Sequence, residues 1–141
     1  MLLISCSDRK ILGDTASQSA MNVYDGVFYR LIKNAFKINA RVKEQVDIYI
    51  LSAKYNLIPG DFNIEPYDQK MDRHISLAKR ELNTILLKQA LVKEMPKELI
   101  VAMGKTYRDS IDWNEVKIPT TFIIGEIGIM QSKLKKWLLS I

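Results

Sequence analysis

Short β-branched runs alternate along this chain with longer stretches of helical period, and that alternation restricts the fold most, because it is the pattern of a parallel sheet covered by helices. Four runs read as strands: Leu2 to Ser5, Val46 to Leu51, Glu98 to Met103 and Thr121 to Ile124. Ile100-Val101-Ala102-Met103 holds no polar residue, which suits a strand buried on both faces. Each strand is joined to the next by a segment containing helix, so all four are expected to run parallel.

Between the first two strands, Tyr24, Val27, Phe28, Leu31, Ile32 and Ala35 recur at helical spacing, with Asp25, Arg30, Lys33 and Asn34 off that stripe. A second helix is expected from about Asp72, as N-cap, to about Met95, ending before Pro96. Its buried face would carry Ile75, Ala78, Leu82, Ile85, Leu86 and Ala90, so Phe28 and Leu82 are both expected in the core. The last helix follows Gly128, with Met130, Leu134, Trp137 and Leu138 as its stripe. No repeat, Gly/Ser tract or block of like charge marks a linker, and 141 residues fit a single α/β domain, 1–141, with a mainly parallel sheet of about four strands.

Composition excludes some classes. An apolar fraction of 48% argues against disorder, and the apolar runs are strand-sized, well short of the roughly 20 residues of a membrane-spanning helix. The first residues lack a basic signal-peptide region and read better as a strand. Cys6, the single cysteine, cannot form an internal disulfide, which points to a reducing cytoplasm while remaining compatible with any compartment. The net charge of +5 permits attraction to nucleic acid without demonstrating it. Lys133, Lys135 and Lys136 read as the solvated face of the last helix. One histidine, one cysteine and no clustered carboxylate motif argue against a zinc site, and no cofactor is expected.

In open α/β sheets, ligands bind beyond the carboxyl ends of the strands, where loops and helix N-termini converge. The first such loop, Ser5-Cys6-Ser7-Asp8-Arg9-Lys10, has the composition to hold an anion through backbone N–H groups and Arg9 or Lys10. Cys6 is a candidate nucleophile beside those cations, or a small buried thiol at a strand end. The second loop brings Ser52, Lys54 and Tyr55. Gly104-Lys105-Thr106 follows the third strand but lacks the earlier glycine of a phosphate-binding P-loop. Gly125 and Gly128, after the fourth, either present backbone donors to a phosphate or serve turn geometry.

The segment 61–68 holds three carboxylates and two aromatics: Asp68 could polarise water, and Phe62 or Tyr67 could stack on a planar ligand, or Pro66 and Tyr67 could simply pin the chain to the body. His74 is expected in the first turn of the next helix, in a surface role.

Ile4-Ser5-Cys6-Ser7-Asp8-Arg9-Lys10, Tyr24-Asp25-Gly26-Val27-Phe28, Leu51-Ser52-Ala53-Lys54-Tyr55-Asn56-Leu57-Ile58, Pro66-Tyr67-Asp68 and Gly125-Glu126-Ile127-Gly128 together resemble a family of small proteins of unknown function. Asn56 stands where that pattern usually has glycine, and asparagine also tolerates a left-handed turn. The first, third and fourth of these motifs also resemble a domain of archaeosine synthase, which modifies a deazaguanine base in transfer RNA and shares the uracil-DNA glycosylase-like fold. The resemblance implies a three-layer α/β/α sandwich and a nucleobase, nucleotide or nucleic acid as ligand. It transfers no catalytic residue, because the glycosylase water-activating motif has no residue-by-residue match here.

The function expected from these readings is an enzyme acting on a nucleobase, nucleoside or nucleic acid. Ser5, Cys6, Ser7, Arg9 and Lys10 would stand at the anion end, and Ser52, Lys54, Tyr67 and Asp68 around the reacting centre. If the reaction cleaves a glycosidic bond, Asp68 would orient water and Tyr67 would stack on the base. The alternatives are a non-catalytic nucleotide or nucleic-acid binding module using the same loops, and a redox sensor built on Cys6.

Overall fold

The computed structural model describes residues 1–7, 10–11, 18–65, 67 and 70–141. In chain order the elements are β1 (Leu2–Ser5), β2 (Gln18–Ser19), α1 (Ala20–Val23), α2 (Val27–Ile38), α3 (Ala40–Gln45), β3 (Ile48–Ser52), β4 (Asn56–Pro59) and β5 (Asn63–Ile64). These are followed by α4 (Leu77–Glu94), β6 (Leu99–Ala102), α5 (Lys105–Arg108), a 3-10 turn at Trp113–Glu115, β7 (Thr120–Ile123) and α6 (Ile127–Leu139).

Five strands form one sheet in the order β4-β3-β1-β6-β7. β1 lies at the centre, parallel to β3 and β6, with Leu3 opposite both Tyr49 and Val101, and β7 continues the parallel set beyond β6. The four strands expected from the apolar runs are thus present and parallel, the first with the expected ends and the other three with ends shifted by one or two residues. β4 is an addition: it turns back antiparallel on β3 after three residues, pairing Ser52 with Asn56 and Ile50 with Ile58. β2 and β5 form a separate two-stranded antiparallel ribbon.

Side chains alternate across each strand, so the sheet feeds two cores. Leu2, Ile4, Ile50 and Ile100 pack with Ile32 of α2, Val42 of α3 and Leu134 of α6. Leu3, Leu51, Leu99 and Val101 pack on the opposite side with Leu87 and Ala90 of α4 and with Ile111. Helices therefore cover both faces of a mainly parallel sheet, as in a three-layer α/β/α fold. Among the described residues no helix is long and apolar enough to cross a membrane.

Two helices depart from their expected form. Tyr24 lies ahead of α2, bridged to Lys10 by an isolated β-bridge, and Gly26 caps a helix whose buried residues are Tyr29 and Ile32; Phe28 is half-buried and Val27 exposed. α4 begins at Leu77, where the Ser76 side chain accepts the Lys79 N–H at 3.1 Å. Asp72 caps only a turn, accepting the His74 N–H at 2.9 Å, so His74 precedes the helix.

The face that α4 buries is Asn83, Thr84, Leu87 and Ala90, while Leu82 is 43% and Ile85 52% exposed. Asn83 and Thr84 make that face look polar in sequence, yet both are bonded in place. Asn83 Nδ2 donates to the Ser110 carbonyl at 3.4 Å, and Thr84 Oγ1 donates to the Arg80 carbonyl at 2.7 Å and accepts the Asp112 N–H at 3.0 Å.

Asn56 has φ = 62°, in the left-handed region that asparagine tolerates better than most side chains. Asn56→Ala should therefore cost about 1 kcal/mol in chemical denaturation, while Asn56→Gly should be close to neutral. Equal losses for both would mean that the turn's backbone geometry is not what Asn56 supplies.

Candidate functional site

Because β1 and β3 are parallel neighbours, the residues following each emerge at the same edge of the sheet. The Cys6 N–H still bonds the Leu51 carbonyl at 3.0 Å, which ties the first loop to the end of β3. Ser52, the last residue of β3, is fully buried, and its Oγ accepts the N–H groups of Lys54 at 3.2 Å and Tyr55 at 3.0 Å, shaping the turn into β4.

That Oγ also belongs to a ring of three hydroxyls. Tyr24 donates to Ser52 at 3.3 Å, Ser52 and Tyr67 are 2.8 Å apart, and Tyr67 and Tyr24 are 2.5 Å apart. With Ser52 donating to Tyr67 and Tyr67 to Tyr24, each hydroxyl donates once and accepts once within the ring. Burial pushes the Tyr24 hydroxyl up to about 12 and moves Tyr67 upward as well. Neighbouring Tyr29 is raised by burial too, and it donates to the Ser5 carbonyl at 2.6 Å. At neutral pH these phenols are proton-bearing donors and not bases.

Two cations border the cluster. Lys10 Nζ stands 4.5 Å from the Tyr67 ring centroid and 5.9 Å from that of Tyr24, while Lys54 Nζ stands 5.6 Å from Tyr67 and 5.3 Å from Tyr55. Tyr55 meets Tyr67 edge-on at 5.5 Å and Phe62 at 6.1 Å, and Phe62 is 44% exposed. The Tyr55 hydroxyl accepts the Glu65 N–H at 3.3 Å, so the loop after β5 is held against the loop after β3. The arrangement offers aromatic surface, a half-buried hydroxyl with an acceptor site outside the ring, and two ammonium groups within one neighbourhood.

The other expected site residues divide. Cys6 is half-buried and its Sγ lies 3.1 Å from the Tyr107 hydroxyl, which joins the loop after β6 to the first loop. Ser7 packs so closely on Gly26 that a Cβ there would stand 2.6 Å from its Oγ. Gly104 caps α5 in open space, and Lys105 is ion-paired with Asp109 of the same turn at 2.5 Å, both exposed. Gly125 takes φ = 132° at the entry to α6, and Gly128 lines a groove of about 430 Å³ between α2 and α6. β7 is the edge strand beyond β6, so its loop starts two strands from β1. Arg9, Pro66 and Asp68 lie outside the described residues. Among the described residues no group of three or more His, Cys, Asp or Glu side chains is placed to hold a metal ion.

Sequence reasoning missed Tyr24 and Tyr107 as site residues and treated Tyr24 as one of an apolar stripe. A signal was available: a buried tyrosine needs a partner for its hydroxyl, and Tyr107 falls in the segment that follows the third expected strand, at the same edge of the sheet. No curated protein matches the chain. Residues 1–139 match the model of one family, described only as a family of unknown function, and the chain belongs to that family, DUF6884.

Proposed function

We propose that this chain binds a nucleobase that carries phosphate, as a free nucleotide or within a nucleic acid, through the loops that follow β1 and β3. The observation that carries the reading is the approach of two ammonium groups, Lys10 and Lys54, to within 6 Å of one tyrosine ring, Tyr67. Two ammonium groups beside one aromatic surface raise the local positive potential, and phosphate is an anion that lysine commonly meets. Exposed Phe62 beside Tyr55 and Tyr67 supplies π-faces on which a base can stack. The half-buried Tyr67 hydroxyl, its proton committed to the ring, keeps a lone pair that suits an N–H donor of a base.

Titration calorimetry with nucleoside monophosphates, the matching nucleosides and short single-stranded oligonucleotides tests this. The nucleotides should bind more tightly than the nucleosides, Lys10→Ala and Lys54→Ala should each weaken binding about tenfold, and Phe62→Ala should do the same. Oligonucleotides binding far better than mononucleotides would make nucleic acid the ligand. No binding in the whole panel, or affinities unmoved by both lysine variants, would end the proposal. Release of free base during incubation, followed by chromatography, would extend the reading to an enzyme acting on a glycosidic bond. Asp68→Asn would then test the water-orienting role proposed for that residue.

A further inference from the structure

α4 carries two largely apolar faces, and the described residues cover only one. Leu87 and Ala90 pack on the sheet, while Ala78, Leu82, Ile85, Gln89 and Val92 all face solvent, with Val92 77% exposed. Their spacing is 4, 3, 4, 3, the seam along which two helices pack, whereas the ordinary surface helix has one apolar stripe and a polar remainder. The seam runs from Ala78 to Val92, about 21 Å of the 18-residue helix.

We propose that this face pairs with the same face of a second copy of the chain, the two α4 helices antiparallel across a twofold axis, with Leu82 against the partner's Ile85. The flanking charges choose this occupant and this register. Here Glu81 stands opposite the partner's Lys88, and the symmetry repeats the pair, so the interface is self-complementary. Sliding one heptad, so that Leu82 meets the partner's Val92, sets Lys88 against its own copy and Lys79 against the partner's Lys93. Parallel pairing sets Lys88 against the partner's Lys93. Lys88 also pairs with Glu115 at 3.2 Å inside the chain, and its three N–H donors allow it to serve both carboxylates.

Sedimentation equilibrium over about 1 to 100 μM reads the outcome. The wild-type mass should rise from 16.2 kDa towards twice that value, and Ile85→Lys should stay monomeric with an unchanged circular dichroism spectrum. Glu81→Lys and Lys88→Glu should each weaken the dimer about tenfold, and the double exchange should restore it. A role confined to the Lys88–Glu115 pair predicts no restoration. A monomeric wild type would overturn the proposal and leave the face bare or to a different protein. A dimer that survives Ile85→Lys, or an exchange that fails to rescue, would also overturn it.

Discussion

Leu87→Ala should lower the free energy of unfolding by about 2 to 5 kcal/mol, whereas Leu82→Ala, on the other face of the same helix, should change it by less than about 1 kcal/mol. Leu87 is fully buried in the core between α4 and the sheet, where Leu3, Leu99 and Val101 surround the same volume. Its truncation removes apolar transfer energy and leaves a cavity that neighbouring strands cannot collapse without breaking their ladder. Leu82 is 43% exposed, so most of what truncation removes was already in water. Urea denaturation at low micromolar protein separates the two, because dilution removes any contribution from self-association. Equal losses would place the buried face of α4 where the periodicity of Leu82, Ile85 and Leu86 first points.

That comparison also locates the limit of legibility. The parallel strands were readable because runs such as Ile100-Val101-Ala102-Met103 leave no polar face, and a strand buried on both sides has few alternatives. Hydrophobic periodicity finds a face of α4 but cannot say which of two apolar faces meets the sheet. The true one carries Asn83 and Thr84, whose bonds to Ser110, Arg80 and Asp112 cannot be seen without tertiary partners. β4 was hidden for a related reason: Lys54-Tyr55-Asn56 has turn composition, and only the left-handed Asn56 returns the chain as a strand against β3. Of the candidate site, Cys6, Lys10, Ser52 and Lys54 were legible as residues at or after the ends of parallel strands, and Tyr67 as part of the long segment before α4. The hydroxyl ring was not, because Tyr24 comes from a segment 28 residues before Ser52 and Tyr67 from one 15 residues after it.

The hydroxyl ring makes the protein sensitive to alkali in a way that a single substitution can isolate. In the unfolded chain Tyr24 loses its proton near pH 10, while in the folded protein burial holds that proton to about pH 12. Below pH 10 both states carry the proton and stability does not change on this account. Between pH 10 and about 12 the unfolded state binds fewer protons than the folded state, so stability falls as pH rises, by up to about 1.4 kcal/mol per pH unit for this one group. Tyr29 and Tyr67 are shifted in the same direction by burial and steepen the fall. Urea denaturation at several pH values between 8 and 12 should show that slope, and phenolate absorbance of the native protein should lag that of the unfolded chain. Tyr24→Phe isolates the contribution of one ring member. At pH 8 it should cost about 1 to 3 kcal/mol, because Ser52 and Tyr67 each lose a hydrogen-bond partner in a buried place. As pH rises past 10 the variant should lose stability more slowly than the wild type, and the gap between them should narrow. A gap that stays constant to pH 12 would mean that the Tyr24 hydroxyl titrates like an exposed phenol, and the ring would then be open to water rather than a dry floor beneath Lys10 and Lys54.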